Sequence, residues 1–496
     1  MYGPTDKPLA RPRNSRVARL RRNILTGAKL VAVVFGVAAL PVVFLYVAGF
    51  SNGDVPATSP AAALPREDEP MAAMRVAALD RRALAFVGVN VVPMDREGVL
   101  RNQTVVVRDG RIAAIGPAAT VRIPSGAVRV DATGKYLLPG LTDAHVHLRD
   151  FDEETNLRLF DLFIANGVTT VLNLYGTPQH LELRARLAQG ELAGPIIFTS
   201  GPFISNLPAP PPEPDEIERD VVAQKRAGYD IIKTHGNFTP DGFRRLFDVA
   251  KREGIRVIGH SPRNLGHAAM TEHGQHAVAH AEEYLYDTQG SSRNAADLVP
   301  RIPEIASATV AAGTWLVPNL SAYHGIAEQA NDVQAMLARP EVQYVPARIA
   351  RGWQPDRNTY ARRFNPSHYQ GFRARYHVLE QITKGFQDAG VGLLAGTDTP
   401  IPCVVPGFSL HDELRLLVAA GLTPYQALRA ATANAAAFLG GDAFGTVEKG
   451  KRADLVLVDA NPLEDVANAS RIAGVMLRGR WLPREELQAT LERNRN

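Results

Sequence analysis

The sequence predicts an α/β protein: a (β/α)8 TIM barrel, a composite β-sandwich built from both chain ends, and one N-terminal transmembrane helix. Three observations carry this. Between residues 141 and 440, eight apolar strand-like runs alternate with helical stretches, the pattern of βαβ units that close as a barrel. Short β runs recur on both sides of that stretch, so residues 81–140 and 441–496 are expected to form one small sandwich. Residues 30–50 contain no charged side chain. At about 1.5 Å per residue they reach roughly 31 Å, the thickness of a bilayer's hydrocarbon core.

Residues 1–29 form a basic tail. Its eight Lys and Arg residues stand against Asp6 alone, a local +7, so the rest of a chain of net +4 carries −3. The basic character therefore belongs to the tail, and the body offers no basic stripe for nucleic acid. The apolar segment 30–50 is longer than the usual signal-peptide core and is followed by only a weak cleavage site at Val47-Ala48-Gly49. It reads as an uncleaved membrane anchor, with a cleaved leader and secretion as the alternative. Positive charge on the near side places the tail in the cytoplasm and the remainder in a periplasm. Residues 51–80, rich in Pro, Ala and Ser, are a tether. A single cysteine, Cys403, excludes an internal disulfide and a cysteine-rich metal site. Hydrophobic residues at 45% and charged residues at 21% are those of a packed globular protein.

The first folded segment contains ALAFVGVNVV and QTVVVRDGRIAAIG, and Asp109-Gly110 within the second is a hairpin signal. The barrel strands are expected in LLPGLTDAHVHL, VTTVLNLY, PIIFTSG, DIIKTH, RVIGHS, AVAHAEEYL, TWLVPNLSAY and GLLAGTD. The run DGFRRLFDVAKREG has helical period between the fourth and fifth. After ATANAAAFLG, β character returns in DLVLVD and GVMLRGRWL.

The chemistry gathers at the C-terminal ends of the barrel strands. His145 and His147 are two apart, so a strand points both imidazoles to one side, where they can share an ion. Lys233, His260, His280 and Asp398 end the fourth, fifth, sixth and eighth runs. Imidazole and carboxylate suit Zn or Mn. A strand-end histidine is by itself more often a satisfied polar residue, but six strand-end positions in one pattern, five of them imidazole or carboxylate, point to a metal centre. No G-x-S-x-G motif is present, and Cys403, with no evident base near it, reads as a packing residue rather than a nucleophile.

These residues carry a resemblance. LLPGLTDAHVHL, the strand-end His260 and His280, the GTD at Asp398, HDELRLLVAAGLTPYQALRAATANAAAFLG and GTVEKGKRADLVLVDANPL resemble the amidohydrolase superfamily over roughly residues 82–485. Within it the chain is similar to the imidazolonepropionase-like branch that includes metal-dependent Xaa-Pro dipeptidases and carboxypeptidases. The resemblance implies two divalent ions, zinc by preference. One is held by His145, His147 and Asp398, the other by His260 and His280, with a carboxylated Lys233 bridging them. It also implies that Asp398 takes a proton from the attacking water and passes it to the leaving amine. A Lys233 that pairs with an acid would instead leave one metal, as in imidazolonepropionases and deaminases.

The expected reaction is hydrolysis of an amide-type C–N bond in a small molecule: a dipeptide, an N-acyl amino acid or an amide-linked aromatic compound. The alternatives are a one-metal cyclic amidohydrolase or deaminase, and a lactonase. His260-Ser261-Pro262-Arg263 and GPFISN replace the His-Ala-Tyr and Gly-Gly-His of similar dipeptidases, which argues against a plain dipeptide. Arg263, Tyr323 and His324 are candidates to line the substrate pocket, and His411 is expected to support the site from behind. The expected partners are a small amide substrate and, through residues 30–50, a membrane; an oligomer is compatible with the sequence.

Overall fold

The computed structural model describes residues 82–149, 151–206, 209–286 and 295–496. The basic tail, the apolar segment 30–50 and the tether 51–80 lie outside the described residues. Among those described, no helix is long and apolar enough to cross a membrane.

The chain ends meet in one mixed sheet. Its strands are β1 (Leu84–Val91), β2 (Leu100–Arg108), β3 (Arg111–Pro117), β4 (Val128–Asp131) and β5 (Tyr136–Pro139) from the N-terminal side. The C-terminal side supplies three more, named here after the seven parallel strands between them. Those seven are β6 (Leu141–Val146), β7 (Val168–Asn173), β8 (Ile196–Thr199), β9 (Ile231–Thr234), β10 (Arg256–Gly259), β11 (Ala277–Ala279) and β12 (Trp315–Val317). The chain then returns as β13 (Leu455–Val458), β14 (Ile472–Leu477) and β15 (Arg480–Pro483).

The terminal sheet runs β15-β14-β13-β5-β1-β2-β3, with β4 beside β1. Asp109 and Gly110, with φ of 52° and 72°, turn β2 into β3 in the left-handed conformation that two-residue hairpins need. On one face Phe86, Val89, Val105, Leu137, Leu455 and Met476 form an apolar core, with Trp481 packed edge-on to Phe86 at 5.0 Å. On the other, Val475, Leu477 and Leu482 pack on Ile164 and Leu487. These last two belong to the helices Glu153–Ala165 and Arg484–Arg493.

Local chemistry explains the helices between the parallel strands. The helix Pro240–Glu253 starts where the Thr239 hydroxyl accepts from the Gly242 N–H at 2.9 Å, and it stops at Gly254 in the left-handed region. Its apolar stripe of Phe243, Leu246, Phe247 and Ala250 packs with Ile217 and Val221 of the helix Pro214–Ala227 and with Ile232 and Val257 of the strands.

The fold expectation is corrected on three points. The described chain is a mixed α/β fold whose parallel strands form a three-stranded sheet, β6-β7-β8, and a four-stranded one, β12-β11-β10-β9, instead of one eight-stranded ladder. Single bridges connect them: Ser200 to Ile231, Leu316 to Leu393 and Val146 to Thr399. The eighth run, GLLAGTD, makes no regular strand. Gly396 leaves backbone in place of a side chain, for a Cβ there would lie 2.9 Å from the His145 Cβ. The expected sandwich is a single sheet, because Leu137 and Leu138 pair in one ladder with Leu457 and Val456, and helices cover the second face. The transmembrane helix finds no counterpart among the described helices.

Candidate metal centre

β6 and the segment that follows Leu394 are tied together by backbone hydrogen bonds. Ala144 N–H donates to Ala395 O at 2.8 Å, Asp398 N–H to His145 O at 2.7 Å and His147 N–H to Thr399 O at 2.8 Å. The buried Asp143 carboxylate locks the same junction by accepting from the Thr397 hydroxyl at 2.7 Å and from its N–H at 3.0 Å. Asp398 thereby takes a left-handed backbone, φ 63°, that turns its side chain toward β6.

Three ligand-type atoms converge there. The Asp398 Oδ1 lies 2.8 Å from His147 Nε2 and 3.2 Å from His145 Nε2, and the two imidazole nitrogens are 3.1 Å apart. The opposite nitrogen of His145, Nδ1, is 3.0 Å from Asn319 Oδ1. That contact makes Nδ1 the donor and leaves the Nε2 lone pair facing Asp398.

The other candidates continue the row. His280, which follows β11, stands 4.9 Å from His145 and 4.8 Å from His260 by ring centroids. Lys233, inside β9, is fully buried, and its Nζ makes no hydrogen bond. The structure thus brings His145, His147, His260, His280, Lys233 and Asp398 to one end of the parallel strands. Burial is the main cause holding all four imidazoles well below their ordinary pKa and raising Asp398 well above its own. Burial also pushes Lys233 down to about 7, with Glu283 opposing. Imidazoles held toward their neutral form, a buried carboxylate and a lysine amine without a hydrogen bond fit a cationic centre, since bound metal requires deprotonated ligands and would offset the desolvation of Asp398.

The three proposed pocket residues separate. Arg263 is committed to Glu283: its Nη2 donates to Oε1 at 2.8 Å and its guanidinium lies 3.6 Å over the Tyr286 ring. Tyr323 is buried on the helix Leu320–Leu337, edge-on to Phe372 at 5.8 Å. His324 lines another cleft, of about 350 Å³, together with Arg339, Cys403 and Asp412. His411 is buried on the helix Phe408–Ala419, with Nε2 3.0 Å from Asn166 O.

Sequence reasoning missed Glu283, Asn319, Tyr175, Phe203 and His235. Glu283 holds His260 by Nδ1 at 2.7 Å and also accepts from the Ser261 N–H at 2.9 Å. An acidic pair inside the apolar run AVAHAEEYL was its signal. Tyr175, Phe203 and His235 follow β7, β8 and β9 and stand beside His147 and His260.

Fold and site together define a class: parallel-stranded α/β proteins built around a metal centre at the strand ends. The chain belongs to the amidohydrolase family, whose model matches residues 136–482, and that family acts as hydrolases on C–N bonds. An enamidase from Eubacterium barkeri is 29% identical over 177 residues, 33% of this chain and 45% of that enzyme. The match thus spans less than half the enamidase's length. An ochratoxinase from Aspergillus niger is 24% identical over 448 residues, covering 76% of this chain and 81% of that enzyme. The solved structure of a Xaa-Pro dipeptidase with bound methionine superimposes with TM-score 0.62 at 19% identity, covering 81% of this chain and all of that one. That last likeness is one of fold.

Proposed function

We propose that the protein hydrolyses an amide-type C–N bond in a small molecule with two divalent ions, zinc by preference. His145, His147 and Asp398 would hold one ion and His260 and His280 the other, with Lys233 between them as a carbamate formed with CO2. The observation that carries this reading is Lys233: a buried amine without a hydrogen bond, whose charge acts on His145, His147, His260 and His280. As the neutral amine it can add to CO2 and lose a proton, becoming a carboxylate that suits hard and borderline cations. The ions would supply water activation and polarisation of the scissile carbonyl.

This chain's own residues do the rest. Asp398, whose Oδ1 lies 2.8 Å from His147 Nε2 and 3.2 Å from His145 Nε2, is suited to accept a proton from the attacking water and deliver it to the leaving nitrogen. Asn319 and Glu283 fix the ring orientation of His145 and His260. A second reading is favoured by the compactness of His145, His147 and Asp398, whose ligand atoms all lie within 4.8 Å of one another. A single ion there would suit cyclic amide hydrolysis or deamination.

Elemental analysis of wild type and Lys233→Ala decides between them. Two ions per chain falling to one or none, with loss of amide hydrolysis, supports the bridged centre. One ion in both proteins sinks it and favours the second reading.

A further inference from the structure

We propose that Tyr175, Phe203 and His235 form the substrate wall of the centre and select a planar aromatic group attached to the scissile amide. This rests on the amide-hydrolase reading and adds which amides are taken.

Two observations converge. The first is exposure. His145, Lys233, His260, His280 and Asp398 are buried, whereas His147, Tyr175, Phe203 and His235 are each only partly so. The imidazoles, lysine and carboxylate are thus a floor, and the aromatic residues are what an entering molecule meets.

The second is continuity. From His147, the rings pass to Tyr175 at 6.0 Å, to Phe203 at 5.2 Å and 77°, to His235 at 4.4 Å and 20°, and to His260 at 5.0 Å and 89°. The wall therefore starts at one end of the ligand row and finishes at the other. Any carbonyl seated over the floor would carry one substituent alongside it. His235 is held in place as well: its Nδ1 is 2.7 Å from Asn206 Oδ1, and Ser205, next to Asn206, donates to Asn237 O at 2.7 Å.

An aliphatic substituent would gain burial from such a wall. A ring would gain edge-to-face and offset contacts in addition, a preference of about twofold to twelvefold. Phe203 is central because it touches Tyr175, His147 and His235 at once.

The test uses the metal-loaded protein titrated with benzoate and with cyclohexanecarboxylate. Both present a carboxylate to the ions, and the small difference in their basicity cancels when the affinity ratio is compared between wild type and variant, so that comparison reads the ring. Wild type is expected to favour benzoate about twofold to twelvefold, and Phe203→Leu to bring the ratio near one with ion content and melting temperature unchanged. Equal affinities in wild type, or an unaltered ratio in the variant, overturn the proposal.

Hydrolysis of matched N-benzoyl and N-cyclohexanecarbonyl amides separates the aromatic wall from the amide chemistry. Equal kcat/KM for both refutes the wall while the chemistry stands. A persisting benzoate preference without hydrolysis of any amide supports the wall and removes the amide-hydrolase reading.

Discussion

Oε1 of Glu283 lies 2.7 Å from Nδ1 of His260, and the same carboxylate takes both prongs of the Arg263 guanidinium. All three groups are buried. The carboxylate thus sets the His260 tautomer from behind, while Arg263 balances its charge. On the two-ion proposal, Glu283→Gln is expected to weaken retention of the ion that His260 and His280 would hold by about tenfold to a hundredfold, read as ion content after dialysis. It also leaves Arg263 buried without a counter-charge. The double variant Arg263→Met/Glu283→Gln is expected to melt higher than the single one yet hold ions no better.

Asn319 plays the matching part for His145. Asn319→Ala removes the acceptor 3.0 Å from Nδ1, so either nitrogen can carry the proton. The expectation is a tenfold to hundredfold fall in kcat/KM, of the order seen for such supporting contacts, partly restored by excess metal. An unchanged value at limiting metal would show that the contact does not orient the ligand.

Cys403 is buried, and burial pushes its thiol up to about 12. The thiolate is therefore scarce at neutral pH. Iodoacetamide at pH 8 is expected to leave the native protein unmodified, and Cys403→Ala to keep amide hydrolysis within about twofold. Rapid alkylation with parallel inactivation would contradict both.

Asp161, on the helix Glu153–Ala165, is pushed up to about 7 by burial, with an Asn494 hydrogen bond at 3.2 Å opposing. The folded state thus binds its proton more tightly than the unfolded chain does. Its contribution is fully present below the unfolded pKa of about 4 and is lost as pH rises to about 7. Asp161→Asn is expected to raise the melting temperature at pH 8, to change it little at pH 4, and so to flatten the slope between them.

Phe86 is fully buried at the centre of the terminal sheet, against Trp481. Phe86→Ala deletes that ring and leaves a cavity, a loss of about 3–5 kcal/mol. Thermal unfolding of the variant should fall well below wild type.

The six residues of the proposed centre were legible because each ends an apolar run, and strand ends on one side of parallel strands are neighbours in space. Their supports were not, because the contacts cross the chain. Asn319 reaches His145 over 174 positions and Glu283 reaches His260 over 23. The run TWLVPNLSAY reads as strand throughout, yet Asn319 adopts φ 53° and a helix begins at Leu320. Glu413 accepts from the N–H groups of Leu320 and Ser321, a cap placed 93 residues downstream of the first of them. This turn moves Tyr323 and His324 onto helix faces. The terminal strands were also readable one by one. Whether they make one sheet or two depends on which neighbour β13 takes, and alternation within a strand does not encode that.

Val456 pairs with Leu138 across more than three hundred residues of intervening chain. During synthesis β5 leaves the ribosome long before β13 exists, so its edge and the apolar face around Leu137 wait unpaired while the whole metal-centre region is made. Nascent protein must be shielded over that interval, and a chain truncated before Leu455 leaves the edge open to other chains. The same seam ties completion of the sheet to β6, which begins two residues after Pro139 and carries His145. Without the last strands, the segment that leads directly into the His145-bearing strand lacks its β13 partner.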